Sequence, residues 1–387
     1  MPSVVVFKSD LLSYSETFIA KQVANCRRWR AALIGVRPVD GGLPLEEFGV
    51  RYLRDSSVAA RSRNLIRALR ELEFVPGRWL DIFKSTNAKL VHVHFATELV
   101  MYWPLLRKTG LPILVTLHGA DITTRPDWWS RPGAGWASRR YPQRLRDISQ
   151  DPRVSFLAVS EAIKKSAVDF GIPSDKIEVS YIGVDTEYFK FSGLPLGQRS
   201  PVILFVGRMV EKKGFGYLMQ AYSEIKKSVP DARLVAVGDG PLWDEYKENS
   251  ERQGLNIDFR GRLTSAEVRG LMAEARVFCL PSVTAANGDA EGLPIVLLEA
   301  QACGVPCVTS AHGGAQEGIA DGMTGYAFNE RDVDAMAVHL KEILTSESVA
   351  NEMSAAAVDF VRQRHSLTSC TERLEGVYDR VCLGLKP

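Results

Sequence analysis

Glu291-Gly-Leu-Pro-Ile-Val-Leu-Leu-Glu-Ala-Gln-Ala-Cys-Gly-Val-Pro306 is the stretch whose reading decides the fold. Pro294 suits the first turn of a helix, where its missing N–H costs nothing. Gly304 is placed to stop that helix and Pro306 forbids its return. The spacing therefore predicts a helix over about residues 294 to 303. Apolar runs flank it, Val277–Leu280 before and Pro306–Thr309 after, so the unit reads strand, loop, helix, strand. A helix start offers backbone N–H groups and about half a positive charge to an anion, and a diphosphate fits. Gly292 lets a ligand approach the backbone closely. Glu291 precedes the helix. Glu299 falls inside the apolar run Ile295 to Ala300, and a carboxylate there wants a partner such as sugar or ribose hydroxyls. A helix-start carboxylate and a solvated helix residue are the plain structural alternative.

Upstream, Val202-Ile-Leu-Phe-Val-Gly-Arg-Met-Val-Glu-Lys-Lys-Gly214 reads as a strand, a glycine turn at Gly207, two basic side chains and a helix. Arg208 and Lys213 fall at the C-terminal end of that strand, where open α/β sheets bind ligands. Arg supplies a fork and Lys a point charge, a pairing suited to pyrophosphate. Lys212 reads instead as surface charge. Gly238-Asp-Gly-Pro241 ends another strand, and Gly313-Gly314 with Glu317 follows a third. Each is a common strand-to-helix turn, and their order carries more information than any one of them.

The same alternation extends over the whole chain. In the first half Ser3–Phe7, Ala31–Val36, Leu90–His94, Ile113–Leu117 and Phe156–Ser160 are short apolar runs. In the second half Val202–Val206 and Arg233–Val237 join the two already named. Buried strands alternating with amphipathic helices predict parallel sheets covered on both faces. At 387 residues the chain suits two such α/β, Rossmann-like domains with a cleft between them as the binding site. Residues 193–200 are rich in breakers, so the expected division is 1–192, a linker at 193–200, and 201–365. A last amphipathic helix, within 366–387, is expected to pack back on the first domain.

No run of about 18 apolar residues occurs, and the start of the chain lacks the pattern of a signal peptide. Six cysteines form no CxxC pair and read as buried or inert thiols, which points to a reducing, cytoplasmic setting. The net charge of +2 hides an asymmetry. Residues 1–192 hold 28 Lys+Arg against 20 Asp+Glu, and the remainder 20 against 26. A basic first half suits an anionic lipid, a polyphosphate carrier or nucleic acid. Within it, residues 125–147 carry six arginines and three tryptophans. That mixture fits a membrane interface or a lipid-diphosphate acceptor, and equally a solvated irregular loop. No nucleic-acid motif accompanies it. His92 and His94 share one strand face and read as structural or pocket-lining; no third ligand marks a metal site. His118, before a glycine at a strand end, reads as functional.

The order Gly-Arg-x4-Lys-Gly, Gly-Asp-Gly-Pro, Glu-x7-Glu and Gly-Gly-x2-Glu resembles the retaining glycosyltransferases of family 4, whose two Rossmann-like domains form the GT-B fold. Ile182-Gly183-Val184-Asp185-Thr186 with Phe189 is similar to the family's signature ahead of its interdomain linker. Ser15-Glu16-Thr17-Phe18-Ile19, His94-Phe95-Ala96 and His118-Gly119-Ala120-Asp121 resemble a branch that assembles bacterial exopolysaccharides such as colanic acid and amylovoran. The resemblance implies that Arg208 and Lys213 bind the donor diphosphate and that Glu299 binds the ribose. It implies that Glu291 faces the donor sugar, that N–H groups of Leu293 to Ile295 complete the phosphate site, and that His118 lines the sugar pocket. It also implies retention of configuration, by same-face attack with the departing phosphate taking the acceptor proton. The expected partners are a nucleotide-sugar donor and a glycan or polyprenyl-diphosphate-linked acceptor, with no cofactor and no metal, on the inner face of the cytoplasmic membrane. Many relatives carry a glycine-rich loop after the first strand. Here Ser13-Tyr14-Ser15-Glu16-Thr17 stands in its place, so that loop contacts either donor phosphate or acceptor. A sugar phosphorylase, a nucleotide-sugar epimerase and an anionic-polymer-binding module are the competing functions.

Overall fold

The computed structural model describes residues 1–13, 16–39, 41–43, 45, 48–53, 75–132 and 136–387. Tyr14 and Ser15 of the expected loop, and 133–135 of the basic segment, lie outside the described residues. The chain divides into two units, Met1–Gly183 with Leu367–Pro387, and Val184–Ser366.

The first unit is built on seven parallel strands: β1 Ser3–Asp10, β2 Arg30–Arg37, β3 Arg51–Tyr52, β4 Ala88–His94, β5 Ile113–Leu117, β6 Val154–Ala158 and β7 Ile177–Val179. Their order across the sheet is β3-β2-β1-β4-β5-β6-β7. Helices α1 Thr17–Asn25, α2 Gly77–Lys84, α3 Ala96–Lys108, α4 Tyr141–Ser149 and α5 Glu161–Phe170 connect them. The central strands are apolar on both faces; Val4, Val5, Phe7, Leu90, Val91, Ile113, Leu114 and Val115 are all fully buried. This is the continuous apolar run that a parallel sheet covered by helices requires.

The second unit has six parallel strands: β8 Val202–Val206, β9 Arg233–Val237, β10 Ile257–Gly261, β11 Val277–Leu280, β12 Cys307–Ser310 and β13 Gly325–Phe328. Their order is β10-β9-β8-β11-β12-β13. Helices α6 Phe215–Ser228, α7 Trp243–Arg252, α8 Ser265–Glu274, α9 Ile295–Ala302, α10 Val333–Thr345 and α11 Glu347–Arg364 complete it. Both sheets therefore reverse their strand order beside the first strand, between β1 and β4 and between β8 and β11. Crevices at the carboxyl ends of strands form at such switch points.

Helix α9 is one residue shorter at each end than the spacing predicts, because Pro294 is the extended residue before the first turn. Gly304 does end the helix, at φ +73°, with any Cβ there meeting the Phe191 ring and the Ser354 hydroxyl. The strand expected at 156–160 spans Val154–Ala158 instead. Ser160 turns out to cap α5, its hydroxyl accepting from the Ile163 N–H at 3.2 Å.

Residues 193–200 lie inside the second unit. Gly197 N–H donates to Asn351 Oδ1 of α11 at 3.2 Å. The buried Arg199 guanidinium donates to the carbonyls of Met272 and Ala275 at 3.1 and 2.9 Å. Arg276 returns to the carbonyl of Gly197 at 3.0 Å. Breaker-rich sequence yields only the short 3-10 turn Leu196–Gln198 here, yet two buried guanidinium groups fix the segment to the unit that follows. The division falls earlier, at Gly183/Val184.

The last helix, α12 Leu367–Cys382, belongs to the first unit. Its Leu374, Val377, Tyr378 and Val381 pack with Val4, Trp29, Leu90, Leu114 and Leu157. Glu375 is 1% exposed, and its Oε1 accepts the backbone N–H groups of Arg27, Arg28 and Trp29 at 2.9, 2.7 and 2.9 Å. One carboxylate thus satisfies the turn that leads into β2.

Candidate active site

In the second unit, the sites read from the sequence converge at the β8/β11 switch point. Gly207 and Arg208 follow β8, and residues 211–213 form a short 3-10 turn that ends at Gly214. Gly214 has φ +64°, and a Cβ there would lie 1.8 Å from the Pro281 carbonyl. Only glycine permits the β8 and β11 loops to touch in this way. The same holds at Gly238, whose Cβ would lie 2.0 Å from the Gly207 carbonyl. The Gly-Arg and Gly-Asp-Gly-Pro turns are in backbone contact for that reason, with Met209 N–H donating to the Asp239 carbonyl at 2.8 Å.

This close packing brings Lys213 Nζ to 2.6 Å from Glu291 Oε1, with the side chains 15% and 8% exposed. Ser282 Oγ donates to the same carboxylate oxygen at 3.1 Å. Burial alone would raise the Glu291 pKa. The charges of Lys213 and Lys212, with hydrogen bonds from Lys213 and Ser282, outweigh it and hold the group below its ordinary value of 4.5. Glu291 is therefore a buried carboxylate kept ionised by its neighbours. The carbonyl of Glu291 accepts the Gly314 N–H at 3.2 Å, so the Gly-Gly turn after β12 closes on the same residue. Ser310 Oγ donates to the Ser282 carbonyl, joining β12 to this cluster.

Lys212 is not loose surface charge. It is about one-fifth exposed and lies 3.0 Å from Asp289 Oδ1. Its carbonyl also accepts the Val283 N–H at 2.8 Å. The 3-10 turn points two consecutive lysines at one acidic loop, a pairing that spacing along a helix would not show. Burial opposes the charge of Lys212, but Glu291 and Asp289 raise its pKa, with Arg208 near enough to act against them. Arg208 itself is exposed. Gly292, Leu293 and Pro294 are buried on the approach to α9, Ile295 is half-buried, and no side chain caps that helix start. Glu299 is half-buried in the second turn of α9. Sequence reading missed Ser282 and Asp289; their signal was their place on the loop after β11, beside the strand that carries Arg208 and Lys213.

His118 belongs to the first unit, on the loop after β5. Asp121, 3% exposed, organises this loop. Its Oδ1 accepts the N–H groups of His118 and Gly119 at 3.2 and 2.9 Å, and its Oδ2 that of Ala96 at 2.9 Å. Burial pushes the Asp121 pKa up against these three donors. His94 Nδ1 lies 3.0 Å from His118 Nε2. The His92 ring lies tilted against that of His94 with ring centres 4.4 Å apart, and its own nitrogens meet Tyr378 Oη at 2.8 Å and Thr116 Oγ1 at 2.7 Å. His92 is thus a satisfied core residue. Phe95 holds φ at +73°, and its ring lies 4.4 Å from that of His118. A non-glycine residue in that region is strained, and such strain clusters at functional sites.

Lys8, missed in the sequence, projects from the carboxyl end of β1. Its Nζ lies 3.1 Å from Glu16 Oε1, with the side chains 10% and 12% exposed. A charge ending the apolar run Val4–Phe7 was the available signal. Glu98 accepts from Ser9 N–H and Oγ at 3.1 and 2.8 Å, and burial raises its pKa. Among the described residues no three His, Cys, Asp or Glu side chains gather as a metal-ligand set. All six cysteines are free, and burial raises the pKa of Cys303 to about 12.

With this geometry in hand, the comparisons identify the class. Residues 187–360 match the glycosyl transferases group 1 family, and residues 30–188 match Glycosyltransferase Family 4. Over 297 residues the chain is 33% identical to the GDP-mannose-dependent alpha-(1-6)-phosphatidylinositol monomannoside mannosyltransferase of Mycolicibacterium smegmatis, covering 73% of this chain and 74% of that protein. It is 30% identical over 261 residues to the amylovoran biosynthesis glycosyltransferase AmsK of Erwinia amylovora, covering 67% and 61%. The crystal structure of Anabaena Alr3699/HepE in complex with UDP and glucose shares the fold, with a TM-score of 0.77 at 18% identity over 98% of this chain and 100% of that one. The chain belongs to glycosyltransferase family 4, and its two Rossmann-like units are those of the GT-B fold.

The buried ion pair makes a direct prediction. Lys213→Met leaves Glu291 unpaired in a low-dielectric site and should lower unfolding free energy by about 3–5 kcal/mol. Adding Glu291→Gln should recover most of that loss. Chemical denaturation of the two variants and the wild type checks both; a single substitution costing under about 1 kcal/mol would contradict the pairing.

Proposed function

We propose that this glycosyltransferase moves a hexose, with retention, from a nucleotide-diphosphate sugar to a glycan or polyprenyl-diphosphate-linked acceptor in bacterial surface polysaccharide assembly. The observation that carries the reading is the cationic group at the β8/β11 switch point, Lys213 held by Glu291, with Lys212 and Arg208 beside it. The bond from the anomeric carbon to the diphosphate oxygen breaks while the bond from that carbon to the acceptor oxygen forms on the same face. The acceptor proton passes to the departing phosphate, and an α-linked donor yields an α-linked product. Negative charge grows on the leaving oxygen. Arg208, Lys213 and the N–H groups at the start of α9 oppose it, and removing one such donor costs about 3–4 kcal/mol of barrier. These charges serve in place of a divalent ion. Glu299 takes the ribose hydroxyls, Glu291 faces the donor sugar, and His118 lines the sugar pocket.

The M. smegmatis relative is named for GDP-mannose and the Anabaena structure holds UDP, so the donor base is the first unknown. Calorimetry with UDP, GDP, ADP and their common sugars, in the presence of a chelator, tests the proposal. Saturable binding of one nucleotide, weakened by Glu299→Ala, is the expected result. Binding of none, or binding only with added Mg²⁺ or Mn²⁺, contradicts it.

We further propose that the protein works at the inner face of the cytoplasmic membrane. No helix among the described residues is long and apolar enough to cross a membrane. Arg125, Arg131, Arg139 and Arg140 are exposed, and the Arg131 guanidinium lies 4.1 Å over the Trp128 ring. Arginine with tryptophan suits an anionic interface. Charge reversal of Arg139, Arg140, Arg144 and Arg146 should abolish binding to vesicles containing phosphatidylglycerol; undiminished binding would refute this surface.

A further inference from the structure

The histidine contact in the first unit fixes more than position. His94 is 2% exposed, and its Nε2 is buried with no hydrogen-bond partner among the described residues. Its Nδ1 lies 3.0 Å from His118 Nε2, so one proton sits between the two rings. Two neutral arrangements satisfy this. If His118 donates through Nε2, His94 must carry its proton on Nε2, where a buried N–H would have no acceptor. If His94 donates through Nδ1, the partnerless Nε2 is a bare ring nitrogen. A stranded buried N–H is the rarer and costlier defect. The second arrangement therefore holds, and its consequence falls on His118. With Nε2 accepting, the neutral His118 ring carries its proton on Nδ1. That nitrogen has no partner among the described residues, and the residue keeps partial exposure.

We infer that His94 is a positioning residue: it donates from within the core to Nε2 of His118 and so holds His118 as the Nδ1–H tautomer, which presents a hydrogen-bond donor to a substrate oxygen.

The surroundings agree. Burial, then the neighbouring His92 and Lys8, push the His118 pKa down to about 3. Burial, with His92, His118 and Lys8, lowers that of His94 well below 6.5. Among the described residues, the charged and titratable groups that act on the pair are Lys8 from β1 and His92 from β4, with Asp121 after β5 bound to the His118 backbone. Asp121 spends its carboxylate on three backbone N–H groups and leaves the His118 ring to His94. The Phe95 and Phe18 rings, 4.4 and 5.2 Å from the His118 ring, limit its rotation. His118 is thus set as a neutral donor and not as a general base. The role toward substrate rests on the transferase reading, whereas the proton's location does not.

Long-range ¹H–¹⁵N correlation spectra of the full chain, labelled at histidine, locate the proton at neutral pH, with His118→Gln assigning the ring. The expected pattern is His118 protonated on Nδ1 and bare on Nε2. A ring protonated on Nε2, or on both nitrogens, overturns the inference. In the kinetic arm, His94→Phe should lower kcat by about tenfold to a hundredfold with KM little changed. His94→Asn, whose amide N–H can stand where Nδ1 stood, should restore most of it. Equal losses in both variants would reduce His94 to packing. A wild type that transfers no sugar would count against the enzymatic reading and leave the spectra to decide the tautomer.

Discussion

A buried ammonium 2.6 Å from a buried carboxylate is the constraint around which the second unit is arranged. Taking both charges from water costs several kcal/mol each, and only close geometry with further hydrogen bonds offsets it. The chain supplies that geometry from three loops at once. The β8 loop brings Lys213, the β11 loop brings Ser282 and Glu291, and the turn after β12 closes on the Glu291 carbonyl. Gly214 and Gly238 are needed because backbone from one loop lies where a Cβ of another would be. The result is a cluster of fixed charges at a switch point, and it is there that the proposed reading puts the donor phosphate.

The first unit solves a different problem. Its β1/β4 crevice has no glycine-rich loop, and charged and imidazole side chains occupy the ends of the strands. Lys8 is neutralised by Glu16, Glu98 is held by Ser9, and Asp121 binds backbone from two loops. Burial keeps the histidines at 92, 94 and 118 neutral, helped at 94 and 118 by neighbouring histidine and Lys8. Tyr378 of the last helix ends this column, so the C-terminal segment supports from behind the ring that His118 presents in front.

Legibility in the sequence followed burial on both faces. The central strands were evident as apolar runs. Strands β3, β7, β10 and β13 were not, because edge strands are short or alternate with charge, as Ile257-Asp-Phe-Arg-Gly261 does. Helix α9 was readable to within a residue, since proline and glycine act locally. The glycine turns and the basic pair after β8 were equally plain in the sequence. What no local pattern could show is pairing across loops: Lys212 with Asp289, Lys213 with Glu291, and Asp121 with Ala96, 25 positions away. The segment 193–200 reads as a linker because composition reveals breakers but not the buried arginines that tie it to the second unit.

The account's central claim is that Lys213 is the phosphate-binding cation and that the ionised Glu291 competes with the diphosphate for it. The most direct measurement is the calorimetric affinity of the nucleoside diphosphate, without sugar, for wild type and Glu291→Gln. Removing the carboxylate charge frees Lys213 and ends its repulsion of the diphosphate, so the account predicts tighter binding by Glu291→Gln in a protein that remains folded. Unchanged or weaker binding would show that the diphosphate does not meet Lys213, and the site would have to be sought elsewhere.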